Sequence, residues 1–216
     1  FEKNQIELDH FQHPSKDNLY QQQIKTFFNQ ARDKNIIEKS DISMPICNFC
    51  DHLLVDGLAE GICPHCLGPS SGCCENCGLV VMPTELKQIE CSQCHRPADF
   101  KIMPVMTFDL KKHLPLLFQK STFYKNLPQK MQNLLIYLES FKNKKLLIAY
   151  PQSSKNQPGI KTPDEDPLVI HVWFEMAANY YFLSQSSCLP FFVRAIANCC
   201  HDVFVKPRRT LALFLK

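Results

Sequence analysis

CNFCDHLLVDGLAEGICPHCLGPSSGCCENCGLVVMPTELKQIECSQC, residues 47–94, holds four Cys-x-x-Cys pairs: Cys47 with Cys50, Cys63 with Cys66, Cys74 with Cys77, and Cys91 with Cys94. The first two pairs are separated by the 12 residues 51–62 and the last two by the 13 residues 78–90, so one spacing occurs twice. Two thiolates three positions apart wrap a tight turn, and two such turns complete a tetrahedron around Zn²⁺. Two structural zinc ions are therefore expected, in preference to disulfides or an iron–sulfur cluster. The expected pairing is sequential, 47/50 with 63/66 and 74/77 with 91/94, with an interleaved pairing as the alternative. His52, His65, His95 and Cys73 flank the pairs and read as bystanders, because eight thiolates already saturate two ions.

The same segment is rich in turn residues, as in Gly68-Pro69-Ser70-Ser71-Gly72, and poor in large apolar ones. It cannot build a core unaided, so bound metal has to supply the organising energy. Such pairs favour a reducing compartment, nucleus or cytoplasm, over a secreted disulfide scaffold. Cys188, Cys199 and Cys200 stand apart in apolar surroundings and read as small buried side chains.

Whole-chain composition adds bounds. With 216 residues, 45% of them hydrophobic, the chain is long enough for one elaborated domain or two small ones. A first residue Phe1 in place of Met reads as a piece cut from something longer. No apolar run is long enough for a helical membrane span, and no membrane or small-molecule partner is expected. Net charge is +3, from 24 Lys and Arg against 21 Asp and Glu, too balanced to announce a nucleic-acid partner by itself.

Outward from the cysteines, Tyr20, Ile24, Phe27, Phe28 and Ala31 recur at helical spacing between Lys16 and Lys34, which predicts an amphipathic, core-facing helix. Phe100, Ile102, Met106, Phe108 and Leu110 alternate with polar residues and predict a half-buried strand, with Phe100, Ile102 and Phe108 sharing the inward face. Pro104 within it argues for an edge or a bulge. A helix is predicted over 128–141, strands over 145–150 and 168–174, a helix over 188–204 and a final strand over 210–215. Residues 151–167 have the composition of an exposed loop. Lys206, Arg208 and Arg209 form a compact basic knot.

Residues 74–110, CENCGLVVMPTELKQIECSQCHRPADFKIMPVMTFDL, resemble the zinc-ribbon insertion and following strand of the C-terminal DNA-binding domain of the replication protein A large-subunit family. A similar cysteine-ribbon OB-fold occurs at the C-terminus of shieldin subunit 2. The resemblance implies an α+β chain with zinc-ribbon modules attached to or inserted in a small OB-like β-barrel with flanking helices. Three segments are expected: 1–46, N-terminal and helical; 47–97, the double four-cysteine region; and 98–216, the OB-like domain with a C-terminal helix.

In an OB-fold, aromatic rings stack on bases while Lys and Arg track phosphates. Lys101, Phe108, Lys111, Lys112, Lys206, Arg208 and Arg209 are the nucleic-acid candidates, with Phe123, Tyr124 and Lys125 beyond them. The implied function is a non-enzymatic module of a DNA-maintenance complex, binding single-stranded DNA, partner subunits or both. The alternative is a zinc-stabilised protein-interaction domain. An enzyme is the least favoured reading: no phosphate loop or catalytic triad is present, and Asp164, Glu165 and Asp166 sit in the Pro-rich loop.

Overall fold

The computed structural model describes residues 16–71, 74–78, 81–113, 129, 132, 133, 136, 145–152, 159–165 and 167–186. Helix α1 (Asn18–Asp33) opens with Asp17 accepting the Tyr20 N–H at 3.0 Å, the arrangement that satisfies an orphan donor of the first turn. It buries Tyr20, Ile24, Phe27, Phe28 and Ala31, the stripe that its sequence predicts. The helix stops at Asn35, which takes the left-handed φ of +53° while Ile36 N–H returns to Ala31 O at 2.8 Å.

Strands β1 (Ile37–Cys47), β2 (His52–Leu53), β6 (Asp99–Asp109), β7 (Lys145–Pro151) and β8 (Leu168–Ile170) form one antiparallel sheet in the order β2-β1-β6-β7-β8. Between β2 and β6, strands β3 (Ala59–Ile62), β4 (Pro69–Ser70) and β5 (Lys87–Cys91) make a second sheet, order β4-β3-β5. Helix α2 (Val172–Ser186) follows β8. On one side of the larger sheet, α1 and α2 pack with Ile37, Met106, Ile148 and Ile170; Phe27 contacts Phe174 and Tyr181 at 5.4 and 5.2 Å between ring centroids. Met44, Leu53, Val55, Val105, Leu147 and Tyr150 pack on the other side.

The expected OB-like barrel is not what forms. Among the described residues the five strands run from one edge, β2, to the other, β8, with no ladder joining the two, and helices pack on one side of this open sheet. The strand after the last cysteine is present, as β6, but its faces differ from expectation. Phe108 packs at the core, whereas Phe100 is 56% and Ile102 73% exposed. The reason is length: β1 accompanies β6 from Phe108 to Asp99, but β7 pairs only with Met106 to Asp109, so among the described residues the first half of β6 has no strand neighbour on that flank. Pro104 lies in this uncovered half, and a register shift falls between Met106 and Thr107, so the edge and the bulge that proline signalled sit side by side.

Leu168–Ile170 is strand as read, but Val172 to Phe174 belong to α2. Residues 129, 132, 133 and 136 are helical. The expected elements over 188–204 and 210–215, and Cys188, Cys199 and Cys200, lie outside the described residues. None of the described helices is long and apolar enough to cross a membrane.

Candidate metal centres

All eight paired cysteines are free thiols gathered in two groups, Cys47, Cys50, Cys91 and Cys94 in one and Cys63, Cys66, Cys74 and Cys77 in the other. The expected sequential pairing is therefore wrong: the outermost pairs join, and the inner two pairs close a site nested between them. Strand register decides this. Ala59 of β3 pairs with Cys91 of β5, and Ile46 with Leu53, which returns the Cys91 turn to the end of β1. At the surface beside these turns the Arg96 guanidinium lies 3.6 Å from the centroid of the Phe49 ring.

In the outer group Cys47 Sγ lies 3.6 Å from Cys94 Sγ, and Cys91 Sγ 3.9 Å from Cys50 Sγ. In the inner group Cys63 to Cys77 is 3.8 Å and Cys66 to Cys74 is 3.4 Å. A disulfide needs sulfurs at about 2.05 Å, whereas four sulfurs at about 2.3 Å around a tetrahedral Zn²⁺ lie about 3.8 Å from one another. The donor sets fit a tetrahedral thiophilic ion.

Each turn has one geometry. The residue after the second cysteine adopts left-handed φ: Asp51 (+52°), Leu67 (+60°), Gly78 (+71°) and His95 (+54°). In three of them its N–H returns to the first cysteine's carbonyl, Leu67 to Cys63 at 3.1 Å, Gly78 to Cys74 at 2.7 Å and His95 to Cys91 at 2.8 Å. Amide donors also reach sulfur: Cys50 N–H to Cys47, His65 N–H to Cys63 and Asn76 Nδ2 to Cys66, each at 3.4 Å.

These donors tune the thiols. The Cys50 N–H leads in lowering Cys47 to about 7, and backbone N–H from Gly68 with the Asn76 amide lowers Cys66 to about 6. Desolvation, followed by the sulfurs of Cys94 and Cys47, pushes Cys50 up to about 12. In the outer group the neighbouring sulfurs thus oppose ionisation of Cys50, an opposition that a bound cation relieves.

His52 Nε2 stands 3.5 Å from Cys91 Sγ, outside the four-sulfur set. His95 faces away, with Nδ1 3.9 Å from Glu60 Oε2. Glu60 is directly opposed to Glu90 across β3 and β5, and with Glu75 and Ser70 they line a cavity of 430 Å³. This acidic surface was missed by sequence reasoning because only the strand register creates it. Cys73 lies outside the described residues.

The nucleic-acid candidates do not converge. Lys101 is exposed opposite Met44, and Phe108, seven positions on and on the other face of β6, packs at the core and stacks on His113 at 4.9 Å. Lys112 binds Asn35 O at 3.2 Å and lies 3.9 Å from Glu38, and Lys111 is exposed beside it. Phe123, Tyr124, Lys125, Lys206, Arg208 and Arg209 are outside the described residues. In the acidic loop, Asp164 is paired with Arg32.

Comparison with known proteins places the chain elsewhere than the OB-folds. A family model described as tRNA synthetases class I (M) matches residues 1–189. A methionine–tRNA ligase of Methanobrevibacter smithii is 37% identical over 94 residues, 43% of this chain and 14% of the relative. Those of Archaeoglobus fulgidus and Methanospirillum hungatei are each 26% identical, over 72% and 83% of this chain and 23% and 26% of the relatives. The chain thus spans about a quarter of the length of these relatives or less. Among solved structures, Mycobacterium tuberculosis methionyl-tRNA synthetase in complex with methionyl-adenylate shares the fold, with a TM-score of 0.51 at 14% identity, over 87% of this chain and 32% of that one.

These findings overturn the resemblance to replication protein A and shieldin, and with it the OB-fold, the role in a DNA-maintenance complex and the single-stranded DNA partner. The expectation of a non-enzymatic chain with no small-molecule substrate falls with them, because the relatives are enzymes named for joining methionine to tRNA. The signal that misled is local: a cysteine ribbon followed by an alternating strand is compatible with several folds, and only long-range pairing separates them.

Proposed function

From a chain that belongs to the family of tRNA synthetases class I (M), we propose that it is the metal-bearing part of a methionine–tRNA ligase, serving the activation of methionine and its transfer to tRNA. The observation that carries this reading is the match over residues 1–189, which takes in both four-sulfur groups and both sides of the larger sheet. Substrates on this reading are methionine, ATP and tRNA.

We further propose that the two groups each hold one Zn²⁺. Such an ion neutralises the thiolates and fixes the turns, and with four sulfur donors it keeps no open position for a substrate. The chain's own contribution is then positional. The described residues between Cys47 and Pro97 are rooted on β1 and β6, two neighbouring strands of eleven residues each, and that paired ribbon orients them relative to the sheet.

The test is methionine-dependent ATP–pyrophosphate exchange and charging of tRNA by the metal-loaded full-length protein. Exchange with methionine and not with other amino acids is the expected result. Metal-loaded protein that exchanges with no amino acid, or with another one, overturns the reading.

A further inference from the structure

His171 lies between β8 and α2 and is 6% exposed. Its backbone N–H donates to Ile148 O of β7 at 2.8 Å, and its carbonyl accepts the Glu175 N–H at 3.1 Å, the first helical bond of α2. Its ring Nδ1 accepts the Trp173 N–H at 3.2 Å, in the place that a Ser or Asp side chain takes at a helix start. A ring nitrogen that accepts an N–H carries no proton itself, so the proton is on Nε2, which donates to Asp56 Oδ1 at 3.1 Å.

Asp56 belongs to the metal-bearing module. It opens the 3-10 turn Asp56–Leu58 with a left-handed φ of +48°. At the end of that turn, Leu58 O accepts the backbone N–H of Ser92 at 3.1 Å, and Ser92 lies inside the Cys91-x-x-Cys94 turn. One unbroken run of bonds therefore leads from the outer four-sulfur group through Ser92, Leu58, Asp56 and His171 to the first turn of α2.

We propose that His171 is a positioning residue that makes the fastening of α2's first turn depend on metal at the Cys47–Cys50–Cys91–Cys94 site. With the ion bound, the Cys91 turn holds the Leu58 carbonyl, and the 3-10 turn presents the Asp56 carboxylate to the imidazole. Without the ion the turn has nothing to fix it, the Asp56 bond is lost, and the imidazole that caps α2 loses the partner that orients its ring. Coupling of this kind is reciprocal, so an ordered α2 also favours metal retention. The inference stands on this geometry and not on the proposed ligase activity.

The experiment is amide hydrogen exchange at Trp173 and Glu175 in the 216-residue chain, metal-loaded and after chelation. In the unaltered chain chelation should speed exchange at these two amides by roughly fivefold or more, the scale expected for losing a half-buried hydrogen bond to a carboxylate. Asp56→Asn keeps the accepting oxygen without its charge and should retain part of this ratio. His171→Asn keeps a helix cap but is too short to reach Asp56, and Asp56→Ala removes the acceptor. In both of these the ratio between metal-free and metal-loaded rates should fall close to one. A ratio near one in the unaltered chain overturns the proposal. So does a large ratio that persists in His171→Asn and Asp56→Ala, the pattern that general unfolding on chelation would give.

Discussion

The sulfurs of Cys47 and Cys94, 47 positions apart in the chain, lie 3.6 Å from each other, which puts the first and last of the eight paired cysteines in one four-sulfur group. Nesting has a direct readout in metal counts. Cys50→Ser and Cys91→Ser should each remove one ion of about two per chain, and combining them should remove no more, because both belong to the outer group. Cys50→Ser with Cys66→Ser should remove both ions. Sequential pairing requires the opposite for Cys50→Ser with Cys66→Ser, so elemental analysis of the two double variants decides.

Of the four left-handed positions that close the cysteine turns, only Gly78 is a glycine. Leu67→Gly should therefore relieve backbone strain and raise the stability of the metal-loaded protein by about 0.5–1 kcal/mol, after allowing for glycine's freer unfolded chain. Gly78→Ala should lower it by about 1 kcal/mol. Denaturant midpoints report both, and a loss of stability in Leu67→Gly counts against the assignment.

Burial holds the Glu175 carboxyl above its ordinary value of 4.5, opposed in part by the Tyr20 hydroxyl that donates to Oε1 at 2.7 Å. A carboxyl whose folded pKa is raised contributes stability that is full below the unfolded pKa and is lost as pH rises through the folded one. Thermal stability should accordingly fall as pH rises above about 4.5 through the folded value. Glu175→Gln, which keeps an acceptor for Tyr20, should flatten that slope; an unchanged slope shows that other groups set it.

Phe100→Ala should change stability by no more than about 0.5 kcal/mol, because its ring is largely in solvent. Phe28→Ala, fully enclosed between α1 and the sheet, should cost about 3–5 kcal/mol. Thermal melts of the two variants test whether β6 is covered only along its second half.

Local chemistry was legible in the sequence, and long-range pairing was not. The periodicity of Tyr20, Ile24, Phe27, Phe28 and Ala31 reports a helix's buried stripe directly, and the Cys-x-x-Cys spacing reports a metal turn, because both depend only on residues a few positions apart. Which turns share an ion depends on Ala59 meeting Cys91, and the near-equal gaps of 12 and 13 residues hold for either pairing. The exposure of Phe100 and Ile102 depends on where β7 stops, a property of another segment. Val172 to Phe174 read as strand because they are apolar, and the cap that begins α2 there is a histidine, outside the Ser, Thr, Asp and Asn set that marks helix starts.

Nesting also imposes an order of assembly. The inner group spans 14 positions from Cys63 to Cys77, and the outer one 47 from Cys47 to Cys94, so closing the outer loop first costs about 1 kcal/mol more in chain entropy. During synthesis the inner four thiols emerge while Cys91 and Cys94 are still to be made. Once the inner loop has closed, the intervening chain is shortened for the outer pairs. Metal uptake should then be stepwise, the inner site serving as the nucleus on which the outer one condenses, and zinc scarcity during translation should leave chains arrested with a single ion.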